Sequence, residues 1–399
     1  MGDIADVIGG GTPRTSEPEN FEGGDIPWVT PADLSGYTDK FISRGARFIT
    51  QRGLESSSAR VLPAGTVLFT SRAPIGYVAI AAKPIATNQG FKSFVLRPGV
   101  LPEYVYWWLR GAKRRAEFLA SGTTFLELSG ANAKKLPIPL VNLEEQRRIV
   151  AEIEKQFSRL DEAVANLQPV KTKLKRYTAA VLQSAINGEL VRSPEETDSV
   201  QLKSLIGKIS QGWSPRCDLT RDPTHEEWAV VTTTAVQPMQ YVDNQGKALP
   251  PEFDSRPNLE IREGDFLMTR KGPRKRAGVA CLVRNTRPRL MVCDTVYRFR
   301  CDTAKVVPGY LELALNAPSI VDSIDRHKAG INESGVSLTH SKLGGVLIPV
   351  PPIGAQSSIV AEVDRRLSIV REVEAEVVAN LKRAQALRQA VLSKAFRSP

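Results

Sequence analysis

Five cations crowd one short stretch, Arg270, Lys271, Arg274, Lys275 and Arg276, interrupted by Gly272-Pro273. A rigid Gly-Pro turn that projects guanidinium forks suits phosphate oxygens and the O6/N7 edge of guanine. From Glu260 to Arg300 there are eleven Lys or Arg against four Asp or Glu, though a solvated charge run would leave the same count. A sparser set comprises Arg72 on the turn Thr70-Ser71-Arg72-Ala73-Pro74-Ile75-Gly76, Lys92, and Arg14 and Arg216. Arg14 and Arg216 follow two similar openings, Gly10-Gly11-Thr12-Pro13 and Gly212-Trp213-Ser214-Pro215. Asn88 and Gln89 are amides of the kind that read adenine or brace a turn. Trp28, Trp107, Trp108 and Trp228 read as core residues.

Catalytic signatures are missing. There is no Gly-x4-Gly-Lys-Ser/Thr phosphate loop, and Gly9-Gly10-Gly11 lacks the spacing of a dinucleotide fingerprint. No Asn or Asp precedes Pro-Pro and an aromatic, the loop with which an amino-methyltransferase holds a flipped base. Nothing positions His225, His327 or His340 beside a nucleophile. The four cysteines lie in the second half without a C-x-x-C pair, so reduced buried thiols are expected and no metal site. The net charge of +11 and pI near 9.5 favour a polyanionic partner. No apolar run approaches the ~20 residues of a membrane span, and no leader pattern opens the chain, so a cytoplasmic protein is expected. With 399 residues and 42% hydrophobic content, two or three domains are expected.

The elements that must position these cations are two long helices. After Asn142, a predicted cap answered by Glu145, apolar residues recur every seven positions at Ile153, Leu160, Leu167, Leu174 and Val181. The companion seam, Phe157, Val164, Lys171, Thr178 and Ala185, is half polar. Segment Val346 to Phe396 repeats Leu136 to Ile186 without a gap at an offset of 210, placing Gln356 on Gln146 and Pro349 on Pro139. Its seam runs through Val363, Val370, Val377, Ala384 and Val391. The repeat predicts an antiparallel coiled-coil pair, each helix roughly 65 to 70 Å long at ~1.5 Å per residue. Pro169 has no counterpart at Ala379 and predicts a kink or a helix restart.

The regions before each helix also correspond. Short β-rich runs at Thr66 to Thr70, Tyr77 to Ala81 and Phe91 to Leu96 are matched by Asp265 to Thr269, Val279 to Val283 and Val296 to Cys301. In the last of these, alternation predicts Arg298 and Arg300 on a solvent face. Pro102 opens a predicted helix, Val191 to Val200 reads as a polar linker, and Tyr104 matches Tyr310. The predicted fold is α+β, with two globular mixed domains joined by two long antiparallel helices in a pseudo-two-fold internal repeat. The boundaries are 1–141, first domain; 142–190, central helix; 191–345, second domain; and 346–399, C-terminal helix.

These residues resemble the specificity subunits of type I restriction-modification systems over essentially the whole chain. The likeness rests on Glu-Gln-Arg-Arg-Ile-Val-Ala-Glu-Ile at 145 to 153, on its copy at 355 to 363, on the helix ends, and on the paired openings. The resemblance implies a non-catalytic subunit whose two target recognition domains read the halves of a split asymmetric DNA site. It implies docking of two methyltransferase subunits and of restriction subunits. S-adenosylmethionine, ATP and Mg would then be bound by those partners and not by this chain. A basic coiled-coil scaffold with incidental nucleic-acid binding is the rival reading, and it leaves the duplicated domains unexplained. If the helices are a ruler, one heptad inserted into either helix alone abolishes recognition, whereas matched insertions in both lengthen the unread spacer. Methylation-site mapping checks this, and an unchanged spacer after matched insertions refutes the ruler.

Overall fold

The structure is a computed structural model that describes residues 1–122, 126–191, 197–217, 222–330 and 333–397. Contacts divide the chain into two compact units, Met1–Leu167 with Val378–Pro399, and Gln168–Val377. Each unit holds one mixed domain and a segment of both long helices.

The first unit is built on a five-stranded sheet of β1 (Ala5–Gly9), β2 (Phe41–Ile42), β3 (Val67–Phe69), β4 (Val78–Ala81) and β5 (Lys92–Leu96), in the order β1-β5-β3-β4-β2. Only β2 and β4 run parallel. Strands β3 and β4 are buried at every position. Val67, Phe69, Val78 and Ile80 pack with helix α1 (Pro102–Gly111), while Leu68 and Ala79 join Leu62, Ile85 and Phe91 in a second cluster. Pro102 opens α1, where its missing N–H costs nothing. A smaller sheet sets Ile26–Val29 antiparallel to Arg47–Ile49 and parallel to Ala86–Thr87.

Helix α2 (Leu143–Ile186) runs through Pro169 without interruption, so the expected restart does not occur. The cap is half of what the sequence suggests. Asn142 Oδ1 accepts the Glu145 N–H at 2.8 Å, but the Glu145 carboxylate turns to Arg148, at 2.5 and 2.7 Å, instead of returning to the cap.

In the second unit β6 (Asp198–Gln201), β7 (Ser210–Gln211), β8 (Phe266–Thr269), β9 (Ala280–Leu282) and β10 (Val296–Phe299) precede helix α3 (Pro308–Asn316). Four of these strands form the antiparallel sheet β7-β10-β8-β9. The small sheet recurs as Ala229–Val231, antiparallel to Gly246–Ala248 and parallel to Leu290–Met291. That sheet corrects the expectation for Arg298, whereas Arg300, just past β10, is exposed as expected. Tyr297 and Phe299 lie in the cluster with α3, Val296 lies in the cluster with the small sheet, and Arg298 is only half exposed. A further difference concerns the stretch expected to begin the C-terminal helix. Strand β11 (Leu347–Val350) occupies it, antiparallel to β6, and helix α4 begins later, at Ile353–Ala395. The expected linker therefore ends in a strand, and its residues 192–196 lie outside the described residues.

Within each unit opposite ends of the long helices come together. In the first, Arg388 of α4 pairs with Asp161 of α2 and covers the Phe157 ring at 5.7 Å. In the second, Val181, Leu182, Ala185 and Ile186 share a core with Ile359, Val363, Leu367 and Val370. Of the predicted seam, Ile153, Val181, Val363, Val370, Val377 and Ala384 are buried, while Leu160, Leu167, Leu174 and Val391 are half buried. On the companion seam Lys171 is exposed, as is Glu374, seven residues after Leu367 on α4.

One polar device joins domain to helix in both units. Gln146 is wholly buried; its Oε1 accepts the Leu101 N–H at 2.8 Å, and its Nε2 donates to Val141 O at 2.9 Å and Gly99 O at 3.1 Å. Gln356, also wholly buried, accepts the Val307 N–H at 2.7 Å and donates to Pro351 O at 2.8 Å and Lys305 O at 3.4 Å. Leu101 and Val307 are the N-cap residues of α1 and α3. Beside them Tyr104 donates to Pro139 O at 2.7 Å and Tyr310 to Pro349 O at 2.8 Å. Burial pushes the Tyr104 hydroxyl up to about 12, keeping it a donor. Gln146→Ala removes three hydrogen bonds at a buried amide, to partners that are themselves only partly buried, and is expected to cost about 1–3 kcal/mol. The denaturation midpoint of the first unit, followed by Trp107 and Trp108 fluorescence, measures it.

Candidate nucleic-acid interface

Both domains carry the same hairpin tip, held by main chain and one buried threonine. Thr70 donates to Pro74 O at 2.7 Å and accepts the Tyr77 N–H at 2.8 Å. Thr269 likewise donates to Arg276 O and accepts the Val279 N–H at 3.1 Å. The Ser71 N–H donates to Gly90 O at 2.8 Å, and Ser71 O accepts the Leu128 N–H at 2.9 Å. The Arg270 N–H donates to Thr295 O, and Arg270 O accepts the Leu338 N–H, both at 2.8 Å. The openings correspond too, with the Gly11 N–H bound to Thr87 O at 2.9 Å and the Trp213 N–H to Val292 O at 3.0 Å. A Cβ at Gly10 or Gly212 would overlap the main chain behind it, which explains the glycine in each opening.

On the second tip the five predicted cations point different ways. Lys271 and Lys275 are exposed and make no side-chain hydrogen bond or ion pair among the described residues. Arg270 lies over the Tyr297 ring at 5.4 Å, reaches Asp294 O and Gln211 Oε1 only at 3.4 and 3.5 Å, and has a buried Nε with no partner. Arg274 and Arg276 turn inward, which narrows the candidate set. Arg274 binds Asp325 Oδ2 at 2.6 and 3.0 Å, and Arg276 binds Thr233 O and Val236 O at 2.6 Å and Gln237 Oε1 at 3.1 Å. Lys328, missed in the sequence, completes the clasp through Asp325 Oδ1 at 2.7 Å and Arg274 O at 2.9 Å. Lys328 and then Arg274 hold the Asp325 carboxyl below its usual range. The clasp therefore contributes fully above the ordinary carboxylate pKa and fades as pH falls through the depressed folded value.

Other members of the basic run are also spent internally. Arg298 donates to Glu260 O at 2.6 Å and Asn258 O at 2.9 Å, and Arg300 donates to Asp265 at 2.7 Å. Arg284 pairs with the buried Glu312, whose carboxyl is raised by desolvation.

On the first tip Arg72 and Lys92 come together on one carboxylate that the sequence did not single out. Glu127 Oε2 lies 3.3 Å from Arg72 Nη1, and its Oε1 lies 3.5 Å from Lys92 Nζ. Asn88 Oδ1 accepts the Gly90 N–H at 2.9 Å, a brace for its own turn, and Gln89 is exposed. Arg14 is exposed, 3.5 Å from Glu17, and Arg216 is exposed without an ion pair among the described residues. Trp28, Trp107 and Trp108 are buried, and Trp228 packs half buried against the core. Trp213 is half buried under Arg256, 3.9 Å from its ring. All four cysteines are free, burial raises each thiol, and Cys281 reaches about 12. Among the described residues no group of three or more His, Cys, Asp or Glu could hold a metal ion. Nor is any helix among them long and apolar enough to cross a membrane.

Residues 1–170 match the profile of the type I restriction modification DNA specificity domain. The chain is 48% identical over 150 residues to the type I restriction enzyme MjaIX specificity subunit of Methanocaldococcus jannaschii, spanning 37% of this chain and 34% of that protein. It is 24% identical over 363 residues to the EcoKI specificity subunit of Escherichia coli strain K12, covering 87% and 77% of the two chains. The chain thus spans about a third of the MjaIX relative and more of the EcoKI one. A chain solved in a study of complex assembly and conformational transition of the type I restriction-modification system has the same fold, with TM-score 0.70 at 19% identity over 100% of this chain and 96% of its own. Residues 1–170 of the chain are thus similar to the type I restriction modification DNA specificity domain. The second domain lies outside that match, and it shares with the first the main-chain bonds described above.

If Lys271 and Lys275 meet phosphates, replacing both by Ala lowers the slope of log affinity against log salt by about 2, as read by fluorescence anisotropy on duplex DNA. Arg276→Ala should leave that slope alone and cost about 1–3 kcal/mol of stability through its unpaired acceptors. An unaltered slope in the lysine variant returns the tip to a solvated charge run.

Proposed function

We propose that this chain is the non-catalytic DNA-specificity subunit of a type I restriction-modification complex, reading an asymmetric bipartite site in double-stranded DNA with one half-site per domain. One observation carries the reading: the same tip scaffold occurs twice with different side chains on it. Matched scaffolds with matched tips would read the same bases twice, whereas Arg72 and Glu127 on one and Lys271 and Ser337 on the other present different donors and acceptors. The long helices serve as the spacer between half-sites and as the docking surface for two methyltransferase subunits and for restriction subunits. S-adenosylmethionine, ATP and Mg belong to those partners, and the complex works in the cytoplasm where the DNA is. A scaffold protein would need neither the duplicated tips nor their common bonding.

Sequencing the methylome with and without the gene tests the reading. Loss of one bipartite adenine-methylated motif on deletion supports it, and an unchanged methylome rejects it.

A further inference from the structure

The tips differ most at the residue facing the cation. Glu127 and Ser337 hold equivalent main-chain positions. Glu127 exchanges both N–H···O bonds with Ser121, at 2.9 and 3.1 Å, and Ser337 exchanges both with Ala329, at 2.8 Å. Each precedes the leucine that bonds to the base of the tip, Leu128 to Ser71 O and Leu338 to Arg270 O. The residues opposite them are Arg72 and Lys271. One scaffold position therefore carries a carboxylate in the first domain and a hydroxyl in the second.

The Glu127 side chain is 38% exposed, and its two cation contacts, 3.3 and 3.5 Å, are longer than the ~2.7–2.9 Å of tight charge-assisted bonds. One carboxylate shared between two cations leaves the cluster with a net charge of +1. A DNA phosphate competes for Arg72 and Lys92, and their departure leaves Glu127 an acceptor with lone pairs unfilled. Its backbone stays held by the exchange with Ser121, so the residue keeps its place on the scaffold.

We propose that Glu127 is a specificity-determining residue of the first domain, accepting the exocyclic amino hydrogen of a cytosine in the major groove while Arg72 and Lys92 turn to flanking phosphates. The assignment rests on the DNA-reading function proposed above. A carboxylate accepts and cannot donate. In the major groove guanine offers O6 and N7, and thymine O4, all acceptors that repel it. Adenine sets its N7 acceptor beside the N6 donor, whereas cytosine presents a donor alone. The hydroxyl of Ser337 can donate or accept and discriminates little at the equivalent position.

The test uses the full chain in its assembled methyltransferase complex. Glu127→Gln and Glu127→Ser, the latter copying the second domain, are compared with the native chain by methylome sequencing and by DNA binding across a salt series. Both variants should change the motif at a single cytosine of one half-site, toward adenine for Gln and toward any base for Ser, leaving the other half-site intact. The salt slope should stay near native, because Arg72 and Lys92 reach phosphates in the native complex and in both variants. A motif unchanged at every position in both variants, with melting temperatures near native, overturns the assignment; so does a uniform loss of affinity for all sequences. Either result leaves the specificity reading standing, because that reading fails only if deleting the gene removes no motif. If one variant does not fold, the other decides the question.

Discussion

A glutamine with no access to water holds each domain on its helix, and the rest of the structure depends on that joint. An amide in the interior is costly unless its donors and acceptors are met. Gln146 and Gln356 meet theirs by spanning three pieces of chain: the turn before the domain helix, the N-cap of that helix, and the Pro-bearing entry to the long helix. Moving any one piece breaks bonds to the other two. With the tyrosine clamps beside them, these joints carry the position of α1 or α3 into the long helix.

Burial of the central sheets on both faces decides what becomes of the charge. A half-buried strand would present Arg298 to solvent, but the small sheet closes over that face and the guanidinium is drawn to carbonyls at its rim. Arg274 and Arg276 are drawn in by Asp325 and by the 233–237 segment. A basic run is thus a poor count of the charge available to a ligand. Arginine's five fixed donors make it a structural cross-link as readily as a reader, and on this tip the two lysines, not three arginines, stay wholly outside.

The two long helices were readable because a gapless copy at an offset of 210 is a strong internal signal. The main strands were readable to within a residue or so at most ends, since Pro and Gly punctuate them. The identity of Gln146 and Gln356 was visible, but their role was not, because their partners before the domain helices lie 45 to 51 residues away across a turn with no motif of its own. Strand β11 hid behind Pro349, which sits opposite Ser199 in a two-stranded pairing where its missing N–H is tolerated. Of the two alternatives at Pro169, a kink or a restart, the restart does not occur; propensity at one residue yields to a helix supported along its length. Glu127 escaped notice because acids outside a basic run carry no sequence signal, and only the fold brings it to Arg72, 55 residues earlier.

The tips are secured at their bases by peptide groups and a threonine, so few of the side chains beyond those bases are needed to keep the hairpin closed. Thr70 and Thr269 are wholly buried, while Arg72, Lys271 and Lys275 lie beyond them. Substitution at such positions leaves folding energy nearly untouched, and selection on stability is blind to it. A lineage can then exchange the outward residues of one domain, by point mutation or by recombination across the repeat, without first passing through an unstable ancestor. Arg274 and Arg276, tied into the body of the second domain, are the places where that freedom ends.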